Sequence, residues 1–481
     1  MMPGELNELI DRIVDGKAET QTIELKAAVH GCPKKLYDTL SAFSNQDDGG
    51  IIIFGIDEEA GFAEAGVYDA HDLQKHVAEQ CQQMDPPVRA VFTIAERNGK
   101  YFVSAEIPGI DAADRPCFYK GSGRLQGSYI RVGDADERMT EYEIYTYEAF
   151  RKKLHDETRI LDTDLSVIDE AALDGYLVLL KKDKPNLQRQ DTDQIKQIMD
   201  LVKDGKPTML TALLFGIYPQ ALFPQLSIIA TVVPGENMGE TGSSGERFTD
   251  NKRIEGTLPQ MINEAVAFVM RNMKQQTLIH ETDKGVVRED IYEYPVTAVR
   301  EAIINSAIHR DYSIHTENMP ISLTMYSDRL IIENPGGLYG RISIDNIGKT
   351  RPDTRNPRIA VAMEVLGMTE NRYSGIPTMY RELKNAGLPA PEFKNERGFF
   401  SVCFRKRIET DAQPNNIEKK IISFCSEYRT KEEIAAYLGL ASSGYVNSRY
   451  ILPLVESGKL KTEKPGIRSH NQRYISNIKI T

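Results

Sequence analysis

Apolar positions recur along this chain at spacings that separate helices from strands. Residues 4–15 carry Leu6, Leu9, Ile10, Ile13 and Val14 on one stripe, which predicts an amphipathic helix. Residues 19–28 alternate instead. Ile23 and Leu25 face one way and Thr22, Glu24 and Lys26 the other, the period of a strand. Residues 36–45 read as helix. The run from Gly49-Gly50 through Ile51-Ile52-Ile53-Phe54-Gly55-Ile56-Asp57 is apolar without alternation, as in a strand buried on both faces. Segments 91–94 and 101–107 flank Asn98-Gly99 and predict a hairpin. Phe118 to Gly121 and Gly127 to Gly133 complete a first domain over residues 1–155.

Residues 156–289 predict a connecting α/β domain. It holds a helix over 164–180, a buried segment at 208–216, a strand at 226–234, a Gly/Ser-rich loop at 235–244 and an amphipathic helix over 254–274. A third domain spans 290–407. Its helix covers 300–312, with Ala302, Ile303, Ala307 and Ile308 spaced for burial. A strand then runs from Asp328 into Asn334-Pro335-Gly336-Gly337, and a further helix follows Ser374-Gly375-Ile376. Residues 408–416 form a polar linker. Beyond it, 417–427, 431–438 and a segment ending at Ser457 predict three helices, the second opened by the capping box Thr430-Lys431-Glu432-Glu433. Segments 459–462 and 472–475 then predict a hairpin. The fold class is multidomain α/β (α+β).

Composition narrows the function. Of the 481 residues 41% are hydrophobic and 27% charged, the balance of a soluble globular protein, and no apolar run reaches membrane-spanning length. The acidic start and five scattered cysteines without a Cys-x-x-Cys predict a cytoplasmic protein with no membrane partner, no zinc and no haem. A net charge of −11 argues against non-specific coating of nucleic acid. Residues 417–481 run against that average, with 11 Lys and Arg against 6 Asp and Glu. Nucleic-acid contact is therefore expected there first.

The densest candidate chemistry lies on the helix at 300–312. Glu301, Asn305 and His309 fall at i, i+4 and i+8 on one face. Asn305 offers a neutral oxygen to Mg²⁺ and Glu301 can orient water. A solvated polar stripe is the plain alternative. The glycines that follow let backbone amides approach a nucleotide. Tyr294-Pro295, Arg300-Glu301, Asn305, His309-Arg310-Asp311-Tyr312, Asn334-Pro335-Gly336-Gly337, Arg355-Asn356-Pro357 and Ser374-Gly375-Ile376 together resemble the Bergerat-type ATP-binding fold of DNA gyrase, MutL and histidine kinases. Residues 290–407 resemble its divergent, helicase-like form found in bacterial transcriptional regulators. The resemblance implies ATP and Mg²⁺ as cofactors, with Glu301, Asn305, His309, Asn334, Gly336, Gly337 and Gly375 at the nucleotide and Asn305 at the metal. Two departures stand out. Asn334 takes the place of an adenine-reading Asp, and only Gly375 remains of the second glycine box. A P-loop is not expected. Gly348-Lys349-Thr350 has Ser343 where the loop's first glycine belongs. His309-Arg310-Asp311 lacks the Asn of a kinase catalytic loop, since position 316 is Thr.

A second resemblance covers residues 10 to 150. Glu19-x4-Glu24-Leu25-Lys26, Ser41-Ala42-Phe43-Ser44-Asn45, Gly49-Gly50, Phe54-Gly55-Ile56-Asp57, Tyr119-Lys120-Gly121 and Tyr129-Ile130-Arg131-Val132-Gly133 resemble the Alba-related domain of the Schlafen type. It implies a nucleic-acid-binding domain for RNA or single strands, with Lys120 and Arg131 as contacts. Some Schlafen proteins are ribonucleases using three carboxylates, and Glu19, Glu24 and Asp57 match those positions. Such a trio can hold a divalent metal that activates water, with Lys26 stabilising the leaving oxyanion. The plain alternative pairs Glu24 with Lys26 on the strand surface and uses Asp57 to start a turn. Cleaving members pair two such domains, and one copy is present here.

Three helices and a hairpin at the C-terminus read as a winged helix-turn-helix. Its contacts to double-stranded DNA would come from Ser443, Tyr445, Asn447 and Arg449 on the third helix and from Lys461, Lys464, Arg468 and Arg473 on the wing. A protein-binding winged helix is the alternative. Paired winged helices read palindromic sites, so a homodimer is expected. The whole reads as a DNA-binding transcriptional regulator modulated by ATP or another nucleotide. A metal-dependent nuclease, in defence against foreign nucleic acid, and an ATP-hydrolysing DNA-associated protein are the competing readings.

Overall fold

A computed structural model describes residues 1–282, 285–369, 374–396, 398–406, 414–438, 443–464 and 472–477. The chain divides into two compact units, Met1–Lys406 and Arg407–Thr481.

The first unit opens with α1 (Pro3–Gly16), which buries Leu6, Leu9, Ile10 and Ile13 as its stripe requires. Then come β1 (Ile23–Lys26), α2 (Tyr37–Ser44), β2 (Gly50–Phe54), α3 (Ala70–Gln82), β3 (Val91–Arg97) and β4 (Lys100–Ile107). The strands form one sheet in the order β1-β2-β4-β3, with β1 and β2 parallel and Glu24 beside Ile52. Ile53 packs with α1 on one face, while Ile52 and Phe54 pack with α2 and α3 on the other. Burial on both faces explains why β2 lacks alternation. The hairpin turns at Asn98 (φ 53°) and Gly99 (φ 71°), the paired left-handed residues that match strand twist. A small hairpin, β5 (Tyr129–Val132) with β6 (Ala135–Arg138), leads into α4 (Glu141–Lys152). A capping box of Thr140 and Glu143 starts that helix.

The rest of the unit is built on a six-stranded sheet. Its elements are α5 (Glu170–Asp183), α6 (Met209–Phe215), β7 (Ile228–Val232), β8 (Asp250–Ile254), α7 (Leu258–Asn272), a hairpin of β9 (Gln275–Thr282) and β10 (Gly285–Tyr292), α8 (Val296–His309), β11 (Ile321–Met325), β12 (Arg329–Pro335), α9 (Pro357–Val365), α10 (Gly375–Asn385), β13 (Glu392–Glu396) and β14 (Phe399–Arg405). The strand order is β8-β7-β11-β12-β14-β13, with β7 and β11 parallel and the remaining neighbours antiparallel. One hydrophobic core runs from Leu161 to Phe404. Residues 156–289 and 290–406 thus share a sheet and a core rather than forming two domains. The segment at 208–216 is helical, and all seven residues of α6 are buried. The expected helix at 300–312 starts earlier and ends at His309. Asn356 donates from Nδ2 to the carbonyls of Ile308 (2.8 Å) and Arg310 (2.7 Å), satisfying acceptors that the helix leaves open.

In the second unit α11 (Pro414–Phe424), β15 (Arg429–Thr430), α12 (Lys431–Tyr437), α13 (Ser443–Val446), a π turn at Asn447–Ile451, α14 (Leu452–Glu456), β16 (Leu460–Thr462) and β17 (Arg473–Ser476) follow in order. The strands pair antiparallel in the order β15-β17-β16. The core gathers Ile421, Cys425, Ile434, Val446, Ile451, Leu454, Leu460 and Tyr474. The third predicted helix is interrupted. Pro453 has no N–H to donate, and the π turn lies just before it. The capping box at Thr430 forms as expected, with the Glu433 N–H donating to Thr430 Oγ1 at 3.2 Å. Most of the expected linker, residues 408–413, lies outside the described residues.

Candidate functional site

α8 carries Glu301, Asn305 and His309 along one wall of a cleft. Asn334, Gly336 and Gly337 reach the same cleft from the end of β12, and Gly375 reaches it from the start of α10. All seven positions expected at a nucleotide therefore line one cavity. Its remaining wall is largely apolar, with Ile332, Met379, Phe393, Phe400 and Val402.

The glycines are placed where a side chain would not fit. A Cβ on Gly375 would come within 2.8 Å of Asn305 Nδ2 and 2.9 Å of Glu301 Oε2. Gly336 has φ +97°, and a Cβ there would meet the Asp311 Cβ at 2.7 Å. Asn305 Nδ2 is buried without a hydrogen-bond partner. The N-terminus of α10, which has no acid in its first turn, lies beside it. A helix N-terminus beside an unpartnered amide donor suits an anion. His309 is held neutral, its pKa pushed down to about 4 by burial and by the Arg355 charge. Asn334 is buried, and its Nδ2 faces the Pro335 carbonyl at 3.3 Å.

Behind the glycine turn sits a charged network to which no role was assigned from sequence. Asp311 and Arg355 are almost fully buried and pair at 3.0 Å. Arg355 also donates to the Gly337 carbonyl (3.0 Å) and lies over the Tyr339 ring at 4.9 Å. Asp311 accepts from Tyr142 Oη at 2.6 Å, and its N–H donates to the Pro335 carbonyl at 2.9 Å. Arg310 is also buried and donates to the carbonyls of Thr316 and Met319. Partners 44 residues apart, such as Asp311 and Arg355, leave no periodic signal in sequence.

The N-terminal carboxylates are arranged differently from a metal site. Glu24 pairs with Arg131 at 2.8 Å, and Glu19 lies 3.9 Å from the same guanidinium. Lys26 pairs with Glu24 as well. Glu19 Oε1 accepts from the Leu25 N–H at 2.7 Å, and burial raises its pKa. Asp57 accepts from the Ala60 N–H at 3.2 Å, starting a turn. Among the described residues no group of three or more His, Cys, Asp or Glu could hold a metal ion. Arg131 departs from its expected role as a nucleic-acid contact. Its side chain is 1% exposed and is held by Glu24, Asp136 (2.9 Å) and the Ile23 carbonyl. Lys120 is exposed.

In the second unit Lys461, Lys464 and Arg473 are exposed, and Ser443 is half-buried. Asn447 Oδ1 accepts from Tyr474 Oη at 3.1 Å, so that oxygen is spent inside the unit. Arg468 and the side chains of Tyr445 and Arg449 lie outside the described residues. No helix among the described residues is long and apolar enough to cross a membrane.

Two parts of the chain match family models, one of the Schlafen AlbA_2 type and one of the HATPase type, a pairing that suggests a DNA-associated ATP-binding protein. Residues 19–140 match the family "Schlafen, AlbA_2", and residues 318–404 match "Putative ATP-dependent DNA helicase recG C-terminal", as the two resemblances implied. The second match begins after α8, so Glu301, Asn305 and His309 lie outside it. Among solved structures, the DIP2311 protein of Corynebacterium diphtheriae is 17% identical, with a TM-score of 0.38, over 98% of this chain and 97% of its own. The N-terminal domain of a "Putative ATP-dependent DNA Helicase RecG-related Protein" from Nitrosomonas europaea is 27% identical, with a TM-score of 0.23, over 28% of this chain and 92% of its own. No curated protein matches the chain.

Proposed function

We propose that this chain is a DNA-binding transcriptional regulator whose cleft takes ATP with Mg²⁺. The observation that carries the nucleotide reading is the meeting of Asn305, Glu301 and Gly375 at the N-terminus of α10. The cradle at Gly375 and the unpartnered Nδ2 of Asn305 fit a phosphate group. Asn305 Oδ1 would join phosphate oxygens in holding Mg²⁺, which neutralises phosphate charge. Phe393, Phe400 and Ile332 offer an apolar seat for a base, and Glu301 can orient water at the phosphate end. The N-terminal domain is the nucleic-acid partner on that side, with Lys120 exposed for contact. In the second unit, three helical segments followed by a paired wing support a winged helix-turn-helix. Lys461, Lys464 and Arg473 are exposed there and would contact phosphates of double-stranded DNA.

Titration calorimetry with MgATP tests the cleft. Asn305→Ala is expected to weaken binding at least about tenfold, roughly 1.4 kcal/mol. Unchanged affinity in that variant, or no binding to the native chain, would remove the nucleotide from the proposal. Gel retardation of labelled duplex DNA, with Mg²⁺ and with EDTA, tests the other half. Retardation without cleavage supports a regulator. Metal-dependent shortening that is lost in Glu24→Ala would replace it with a nuclease.

A further inference from the structure

We infer that α4 couples the N-terminal domain to the nucleotide cleft, with Tyr142 as its positioning residue; this rests on the reading that the two sites bind nucleic acid and nucleotide. α4 is the first helix after the AlbA_2 match, and its two faces are committed to different partners. On the cleft side Tyr142 Oη holds Asp311 at 2.6 Å, and Asp311 holds Arg355, which in turn holds the Gly337 carbonyl at 3.0 Å. Further along the same side, Phe150 packs edge-on against Tyr339, which follows the glycine turn, with ring centroids 5.3 Å apart. On the other side Glu148 pairs with Arg124, and Tyr147 lies against Arg115, which pairs with Asp47 at 2.7 Å. A second tie runs in parallel. Arg341 pairs with Asp111 of the N-terminal domain at 3.1 Å while lying over the Phe150 ring at 5.3 Å.

The path from Gly337 to Tyr142 consists of buried side chains with fixed partners. Asp311 is 1% exposed and Arg355 8% exposed, so neither can swing into water without losing an ion pair. A nucleotide seated against Gly336 and Gly337 fixes the backbone that Arg355 reads. Tyr142 then carries that state into α4, which is anchored in the N-terminal domain through Glu148 and Tyr147. The coupling is reciprocal, so nucleic acid on the N-terminal domain must change nucleotide affinity by the same factor.

The full-length chain tests this with a fluorescent ATP analogue and Mg²⁺, alone and with saturating mixed-sequence single-stranded RNA. The RNA is expected to change the nucleotide Kd at least about fivefold in the native chain. Tyr142→Phe, which keeps the ring and the Asp311–Arg355 pair, is expected to cut that factor below about twofold. Each ligand measured by itself should still bind the variant within about threefold of native. A merely structural role would move the separate affinities and leave their ratio alone. Arg124→Gln, at the opposite face of α4, is expected to lose the factor too. If both ligands bind and the factor is one, or survives in Tyr142→Phe, the coupling is wrong while the nucleotide site stands. If the analogue does not bind the native chain at all, the functional reading falls and the coupling with it.

Discussion

Two buried carboxylates set the residue-scale expectations. Removing Arg355 leaves Asp311 charged and buried with only Tyr142 and a backbone N–H to hold it. Arg355→Met should therefore lower the unfolding free energy by about 3–5 kcal/mol, measured by urea titration. Glu157 is fully buried, and its pKa is pushed up to about 7 by burial. The folded state then holds a proton that the unfolded chain releases near its ordinary value of 4.5. Stability from this group is fully present below that value and is lost as pH rises from about 4.5 to 7. Glu157→Gln should flatten the dependence and be the more stable form at pH 8, by on the order of 2–3 kcal/mol. Equal slopes of stability against pH in the two proteins would refute this. Part of the cleft was legible at this scale. Glu301, Asn305 and His309 repeat every four residues, and helical geometry alone puts them on one face. Asp311 and Arg355 were not, because a buried ion pair between distant segments has no spacing to read. The burial of Arg131 was not legible either, because a lone arginine in a strand looks the same whether it faces phosphate or carboxylates.

Elements were legible where one face alone is buried. α1 and the β3–β4 hairpin follow from their periods and from Asn98-Gly99. The ends were harder to place. α8 stops at His309 because Asn356, from a loop 46 residues after Arg310, takes up its last carbonyls. Asn356→Ala should leave those buried acceptors unpaired and cost about 1–3 kcal/mol in thermal or urea unfolding. It should also loosen the nucleotide cleft, since His309 sits on that last turn. An unchanged midpoint would mean that water replaces the amide. The hairpin of β9 and β10 went unread because apolar residues at Leu278, Ile279, Val286 and Val287 come in pairs rather than alternating. β7 was read as a strand, but its partners β8 and β11 come from opposite ends of a long stretch, which only the sheet order reveals.

For the whole molecule, the sequence reading sets domain boundaries at 155, at 289 and near 408. Only the last coincides with a division of the chain into compact units. A chain ending at Lys406 should keep the thermal midpoint and MgATP affinity of the native first unit while losing duplex-DNA retardation. Loss of the midpoint would show that residues after 406 are needed for that fold. The boundary at 289 fails because β7 and β8 complete the sheet that β11 to β14 begin. That shared sheet bears on what can be inherited as a piece. The stretch that bears the helicase-type family signature, residues 318–404, leaves α8 behind and strips β11 of its parallel neighbour, exposing a bare strand edge of the kind that pairs with other chains. Were this cleft ever exchanged between proteins by recombination, the cargo could not be the recognisable signature alone. It would have to bring the unremarkable sequence upstream, including α8 with Glu301, Asn305 and His309.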